Sequence, residues 1–375
     1  MGRRARGARP FSPMHVPGEF AFGLPRAAPV GMRRGATGGP RMTDATAAQG
    51  GFDVMIVGQR GRVGYEAALF AASLRASDPA FGGRLIVCEP QPGPLWPDDP
   101  RLPPPLAGLL TEELGAEIRP FESQHFGSSY PYGNKIEALS TLDPDRPFVF
   151  FDSDTLVTGA LSAVPFDFDR PAASMRREGT WPQLELYGPG YGQIWSSLYR
   201  RFGLDYDSSL DRTQPDEHWE RYLYFNAGWF FHRSGPAFGQ RFLDTALTIR
   251  DDGPEEIALQ PLDPWLDQVA LPLVIHALGG GRPGPALDGL DGDVTTHYRM
   301  LPLLYARESD AAVKTAETVM GTNRIKRVLK EHEPFRRFLL QGKGRRARDL
   351  FDRADLPRKE QAIRNRLKAN NLWVR

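Results

Sequence analysis

Short apolar runs, each closed by a glycine, a proline or an acid, punctuate the first half of the chain. Phe52-Asp-Val-Met-Ile-Val-Gly58, Arg84-Leu-Ile-Val-Cys88, Ala116 to Pro120 and Pro147 to Phe151 each have the length and composition of a buried strand. Between them, Tyr65 to Ala76, Leu109 to Gly115 and Lys135 to Leu142 repeat their apolar residues with helical period. Two aromatic clusters further on, Tyr222 to Phe225 and Trp229 to Phe231, read as core strand. Alternation of strand and helix predicts an α/β fold: a Rossmann-like, mostly parallel sheet with helices on both faces. Ligands of such sheets sit beyond the carboxyl ends of the strands. That rule directs attention to Gly58, Glu89 and Asp152.

Composition refines this picture at the two ends. The 375 residues are 41% hydrophobic and 25% charged, ordinary values for a globular chain. No apolar run reaches the roughly 18 residues that a membrane-crossing helix needs. The net charge of +1 hides three blocks. Residues 1–50 hold eight arginines against two acids, residues 51–323 hold 22 basic side chains against 38 acidic ones, and residues 324–375 hold 17 against 6. The first block is rich in Gly, Pro, Arg and Ala without hydrophobic period, so it reads as disordered, or as an extension upstream of a true start at Met42. An acidic body does not suit a protein that wraps nucleic acid. The last block has helical period, breaks at Pro334, Gly342-Lys-Gly344 and Pro357, and carries an apolar stripe among its arginines. It reads either as a helical extension packing on the acidic body or as a peripheral membrane contact. The single cysteine, Cys88, lies in a strand and reads as a small buried residue. One cysteine forms no internal disulfide and suits a reducing, cytoplasmic setting, including the inner face of the membrane.

The most informative stretch is Phe148-Val-Phe-Phe-Asp152-Ser-Asp154-Thr-Leu-Val157. Four apolar residues lead into two carboxylates at positions i and i+2, which share a face wherever the chain is extended. Such a pair can hold one divalent cation, and Mg²⁺ or Mn²⁺ takes carboxylates together with phosphate oxygens. An acidic strand-to-loop turn is the plainer explanation.

Around this pair stand Tyr132-Gly-Asn134-Lys135-Ile-Glu-Ala-Leu139, Phe225-Asn226-Ala-Gly-Trp-Phe-Phe231, Trp265-Leu-Asp267-Gln268 and Thr-Thr-His297-Tyr-Arg299, in that order. Together they resemble the GT-A glycosyltransferases, and most of all family 8, which includes glycogenin and bacterial lipopolysaccharide galactosyltransferases. The likeness covers about residues 52–305. It implies a metal-dependent transfer of a hexose from a nucleotide-diphosphate sugar to a glycan or lipid-linked acceptor, with retention at the anomeric carbon and no nucleic acid partner. Asp152, Asp154 and His297 are then the ligands of Mn²⁺ or Mg²⁺. Val57, Gly58, Asn134, Lys135 and Ser153 lie on the donor side, and Arg299 stands in for a diphosphate-gripping lysine. Asn226, Asp267 and Gln268 line the sugar pocket, while Asp263 or Asp267 as a general base would make the enzyme inverting.

Each of these residues also has a structural explanation. Asn226 can bond backbone at a strand edge, Asp267 and Gln268 can lie on a solvated helix face, His297 can be a loop histidine, and Lys135 an exposed helix lysine. His276, within an apolar run, reads as a near-core residue. The loop Gly58-Gln-Arg-Gly61-Arg-Val-Gly64 follows a strand and opens a helix, as a dinucleotide site would, but has G-x-x-G-x-x-G spacing in place of G-x-G-x-x-G. The expected organisation is therefore a GT-A domain over residues 51–310 with a basic helical tail over 311–375. The competing readings are a non-catalytic protein of the same fold tied to polysaccharide synthesis, and an NAD- or FAD-binding oxidoreductase.

Overall fold

The central strands are apolar on both faces, and each face has its own core. β1 (Asp53–Val57) pairs in parallel with β2 (Leu85–Pro90) on one side and β4 (Phe148–Phe151) on the other. β3 (Ala116–Phe121) extends the sheet beyond β2 in parallel, and β6 (Trp229–His232) closes it beyond β4 in antiparallel, giving the order β3-β2-β1-β4-β6. The computed structural model describes residues 51–177 and 179–374, which belong to the compact unit Gly50–Arg375. The expectation for residues 1–50 lies outside the described residues.

Strand alternation sorts the side chains. Val54 and Ile56 point to one face, where they meet the helix Arg62–Ser77, and Met55 and Val57 point to the other, beneath the helices Gly235–Asp252 and Leu266–Ala277. Cys88 is fully buried, and burial pushes its thiol up to about 12. The helix expected from Tyr65 begins three residues earlier, because Gly61 at φ 88° turns the chain sharply enough to start it at Arg62. The expected helix from Lys135 is a single α turn, Asn134–Glu137, that tightens into a 3₁₀ segment, Ala138–Thr141.

The basic tail packs on the body with its apolar stripe inward. Phe335, Phe338, Phe351, Ile363, Leu367 and Leu372 join the core on the side of the first helix. Its arginines meet body acids: Arg353 lies 3.1 Å from Asp310, and Arg348 pairs with the same carboxylate. The breaks fall where the sequence predicts: Gly342 takes φ 76°, and Pro334 opens a new helical turn. Among the described residues no helix is long and apolar enough to cross a membrane.

Candidate active site

The acidic pair is brought together by a turn, not by strand geometry. β4 ends at Phe151, the amide of Asp152 donates to the Gly228 carbonyl at 2.9 Å, and the chain reverses through Asp152–Asp154 into β5 (Thr155–Val157). The hydroxyl of Ser153 donates to the Val57 carbonyl, pinning the turn to the end of β1. β5 pairs with β7 (Thr295–His297) in antiparallel, with Thr155 opposite His297. That register sets the imidazole beside the carboxylates: His297 Nε2 lies 3.0 Å from Asp154 Oδ1 and 3.9 Å from Asp152 Oδ2. One ligand atom from each of the three residues falls within 4.8 Å of the others, so the group could hold a metal ion.

The Phe-Asn-Ala-Gly segment shapes the wall behind them. Ala227 adopts φ 61°, and a Cβ at Gly228 would come within 2.5 Å of His297 Nδ1 and 2.8 Å of Asn226 Oδ1, so only glycine fits. The Asn226 amide donates to the Arg176 carbonyl at 2.7 Å, and Gln268 accepts from the Tyr224 hydroxyl at 2.9 Å. Lys135 is 6% exposed rather than a surface lysine: its Nζ lies 2.7 Å from Asp152 Oδ1 and 3.2 Å from Asp267 Oδ2. Asp267 is buried as well, not solvated, and accepts from the Tyr130 hydroxyl at 2.9 Å.

Two lobes of one cleft meet over this cluster. The first, about 630 Å³, is walled by Val57, Val63, Tyr132, Phe150 and Pro264; the second, about 590 Å³, by Asn226, Gln268, His297, Arg299 and Trp373. Arg62, Tyr132, Lys135, Asp152 and Asp154 line both. Asn134 and Gly58 do not face either lobe. Asn134 sits behind Gln59, to whose side chain it donates at 2.9 Å, and it is Gln59 that reaches the cleft. Gly58 is glycine because a Cβ would strike Val87 Cγ1 at 2.4 Å. Glu89 faces the Leu102 amide, to which it accepts at 2.9 Å, and holds a loop. His276 is partly buried away from this site, its ring edge-on to Tyr199 at 5.3 Å.

Sequence reasoning missed Arg62 and Glu66. Arg62 lies 2.8 Å from the buried Glu66, one helical turn on, and 3.5 Å from Asp154. Their i, i+4 spacing just after the glycine-rich loop was the available signal. Burial and the nearby Asp154 raise the Glu66 carboxyl well above its ordinary value, while Arg62 opposes that rise. Burial also works against an ionised Asp154, but His297 and Arg62 hold its carboxyl down at about 2. Lys135 pays for its burial through Asp152 and Asp267, which keep the ammonium charged above its ordinary value.

Residues 54–279, more than half of the chain, match the model of the Rhodobacterales glycosyltransferase domain. The chain belongs to this family. It is a glycosyltransferase, and the α/β architecture expected of a GT-A enzyme is the one present. No curated protein matches the sequence. Among solved structures, the chain is similar to the galactosyltransferase LgtC in complex with donor and acceptor sugar analogues, at 14% identity over 76% of this chain and 99% of that one, TM-score 0.41. It is also similar to the bifunctional glycosyltransferase WbbM, at 15% identity over 76% of this chain and 52% of that one, TM-score 0.41. GlyE of Streptococcus pneumoniae follows at 13% identity, 86% and 65% coverage and TM-score 0.35. Likenesses this distant carry no residue role across.

Proposed function

We propose that this glycosyltransferase moves a hexose from a nucleotide-diphosphate sugar to a glycan or lipid-linked acceptor, in the manner of family 8, with Mn²⁺ or Mg²⁺ held by Asp152, Asp154 and His297. The observation that carries the reading is the convergence of two carboxylates and an imidazole on the floor shared by both lobes. Two oxygen donors and one nitrogen suit these cations. A bound divalent ion would supply charge neutralisation of the departing diphosphate. The apolar walls of the first lobe suit a nucleoside, and the polar second lobe suits the sugar and its acceptor.

Around that centre the protein's own side chains divide the work. Lys135 and Arg62 are fixed cations beside the acids, positioned before substrate arrives. Asn226 and Gln268 have their orientations set by the Arg176 carbonyl and Tyr224, so they present defined polar faces to a sugar. Retention is supported by the state of the acids. Both oxygens of Asp267 are engaged, by Tyr130 and Lys135, and Asp263 lines the first lobe only, which leaves neither placed as a general base for the acceptor hydroxyl. Cytoplasmic action agrees with the lone buried cysteine.

The test is turnover of a panel of UDP- and GDP-hexoses, by transfer and by slow donor hydrolysis, with Mn²⁺ and with EDTA. Turnover of one donor that stops with EDTA is expected. Nucleotide binding without turnover of any donor favours the non-catalytic reading, and turnover indifferent to EDTA removes the metal from the account.

A further inference from the structure

The family match ends at residue 279, yet the second lobe is closed by residues more than eighty positions later. Glu360 and Arg364, on the helix Glu360–Ala369, and Trp373 just beyond it face the same cavity as Asn226, Gln268 and His297. None of the three lines the first lobe. The tail thus touches what occupies the cleft on the side away from the nucleoside.

This wall is built and not draped. A relay of ion pairs locks it to the site: Arg176 to Glu308 at 2.9 Å, Glu308 to Arg307 at 2.8 Å, Arg307 to Glu360 at 2.7 Å, and Glu360 to Arg364. Its far end is the residue whose carbonyl fixes Asn226. Three guanidiniums share two carboxylates, so the relay keeps a surplus positive charge. Arg364 lies over the Trp373 ring at 5.2 Å, with Lys368 at 6.0 Å. Across the lobe, Arg177 stacks on Trp219 at 4.1 Å, and its buried Nη1 has no hydrogen-bond partner. An indole ringed by guanidiniums at a partly buried wall suits one ligand chemistry: a sugar ring that stacks on the aromatic and bears an anionic group for the arginines.

We propose that the C-terminal helix and Trp373 form the acceptor subsite, and that it takes an acidic sugar, with Trp373 as the stacking surface and Arg364 and Arg177 as the anion contacts. This rests on the glycosyltransferase reading above, with the nucleotide in the first lobe.

Binding of methyl glucuronide and of methyl glucoside, measured by saturation-transfer NMR on the full chain with UDP and Mn²⁺ present, tests it. The glucuronide should bind at least tenfold more tightly than the glucoside. Trp373→Ala should lose both sugars, Trp373→Tyr should recover them, and Arg364→Gln should lose the glucuronide's advantage alone. All variants should keep the affinity for UDP with Mn²⁺ and the rate of donor hydrolysis. Equal binding of the two sugars, or of either sugar to wild type and Trp373→Ala, overturns the proposal, as does a wild type that binds neither sugar. If UDP with Mn²⁺ fails to bind the wild type, the functional reading has failed first; if UDP binds and the sugar results go wrong, the acceptor proposal has failed alone. Should Trp373→Ala not fold, Arg364→Gln, whose side chain is partly exposed, decides by the same comparison.

Discussion

The sheet carries a buried acid at each end, and the two are treated in opposite ways. At the start of β1, Asp53 is 1% exposed and accepts from two arginines, Arg84 and Arg146. Its charge is more than matched, both oxygens are used, and no cleft opens on it. At the carboxyl ends of the strands, Asp152, Asp154, Asp267 and Glu66 crowd around Lys135, Arg62 and His297, and the group faces open space. There the acids outnumber the permanent cations. A balanced pair needs nothing further, whereas a surplus of negative charge in a cleft is a site that awaits a cation.

The comparison breaks most visibly through activity. Asp154→Asn is expected to cut turnover about a thousandfold, on the scale of losing a preorganised electrostatic group, with an unchanged or higher Tm because it relieves the surplus. Asp53→Asn should do the reverse. It is expected to lose about 2 kcal/mol of stability in denaturant titration, less than a fully buried pair because Arg84 and Arg146 are 39% and 33% exposed, with turnover per folded molecule intact. If both variants lose stability equally, the two ends are alike and the distinction is void.

A finer probe is Gly228→Ala. Its new Cβ must displace His297 or Asn226, so the apparent Mn²⁺ affinity should fall about tenfold while the fold survives. Unchanged metal dependence would mean that His297 is a bystander. The smallest effect lies away from the site, where His332 stacks on Tyr65 at 4.8 Å and ties the tail to the first helix. Burial and Arg62 hold its imidazole down at about 4, against about 6.5 when unfolded. The unfolded chain therefore takes up this proton first, and stability should fall as pH drops from about 6.5 to about 4. His332→Phe should flatten that part of the Tm-against-pH curve by a few degrees; an unaltered curve would show the histidine is not the source.

Much of this was legible beforehand, for reasons that differ from residue to residue. β1, β2 and β4 announce themselves because strands buried on both faces are continuous apolar runs. Asp152 and Asp154 were found with an argument that proved incomplete. Their shared face was expected from an extended strand, but β4 stops at Phe151, and the turn and the β5–β7 ladder bring the ligands together. Lys135 and Asp267 read as solvated because sequence cannot show that each is the other's partner 132 positions away. Asn134 and Gln59 exchange places for a similar reason: the hydrogen bond that sets one behind the other is tertiary. The tail's apolar stripe was visible as a packing surface, but its contribution to the cleft depends on the relay from Arg176 to Arg364, which no local pattern encodes.

The central claim is that the acid surplus exists to bind a divalent ion together with a diphosphate. Calorimetric titration of UDP into the full chain, with and without Mn²⁺ and with Asp154→Asn as the control, tests it most directly. Wild type should bind UDP at least tenfold more tightly with Mn²⁺, and Asp154→Asn should lose that gain. Equal affinity for UDP with and without the ion in wild type would contradict the account.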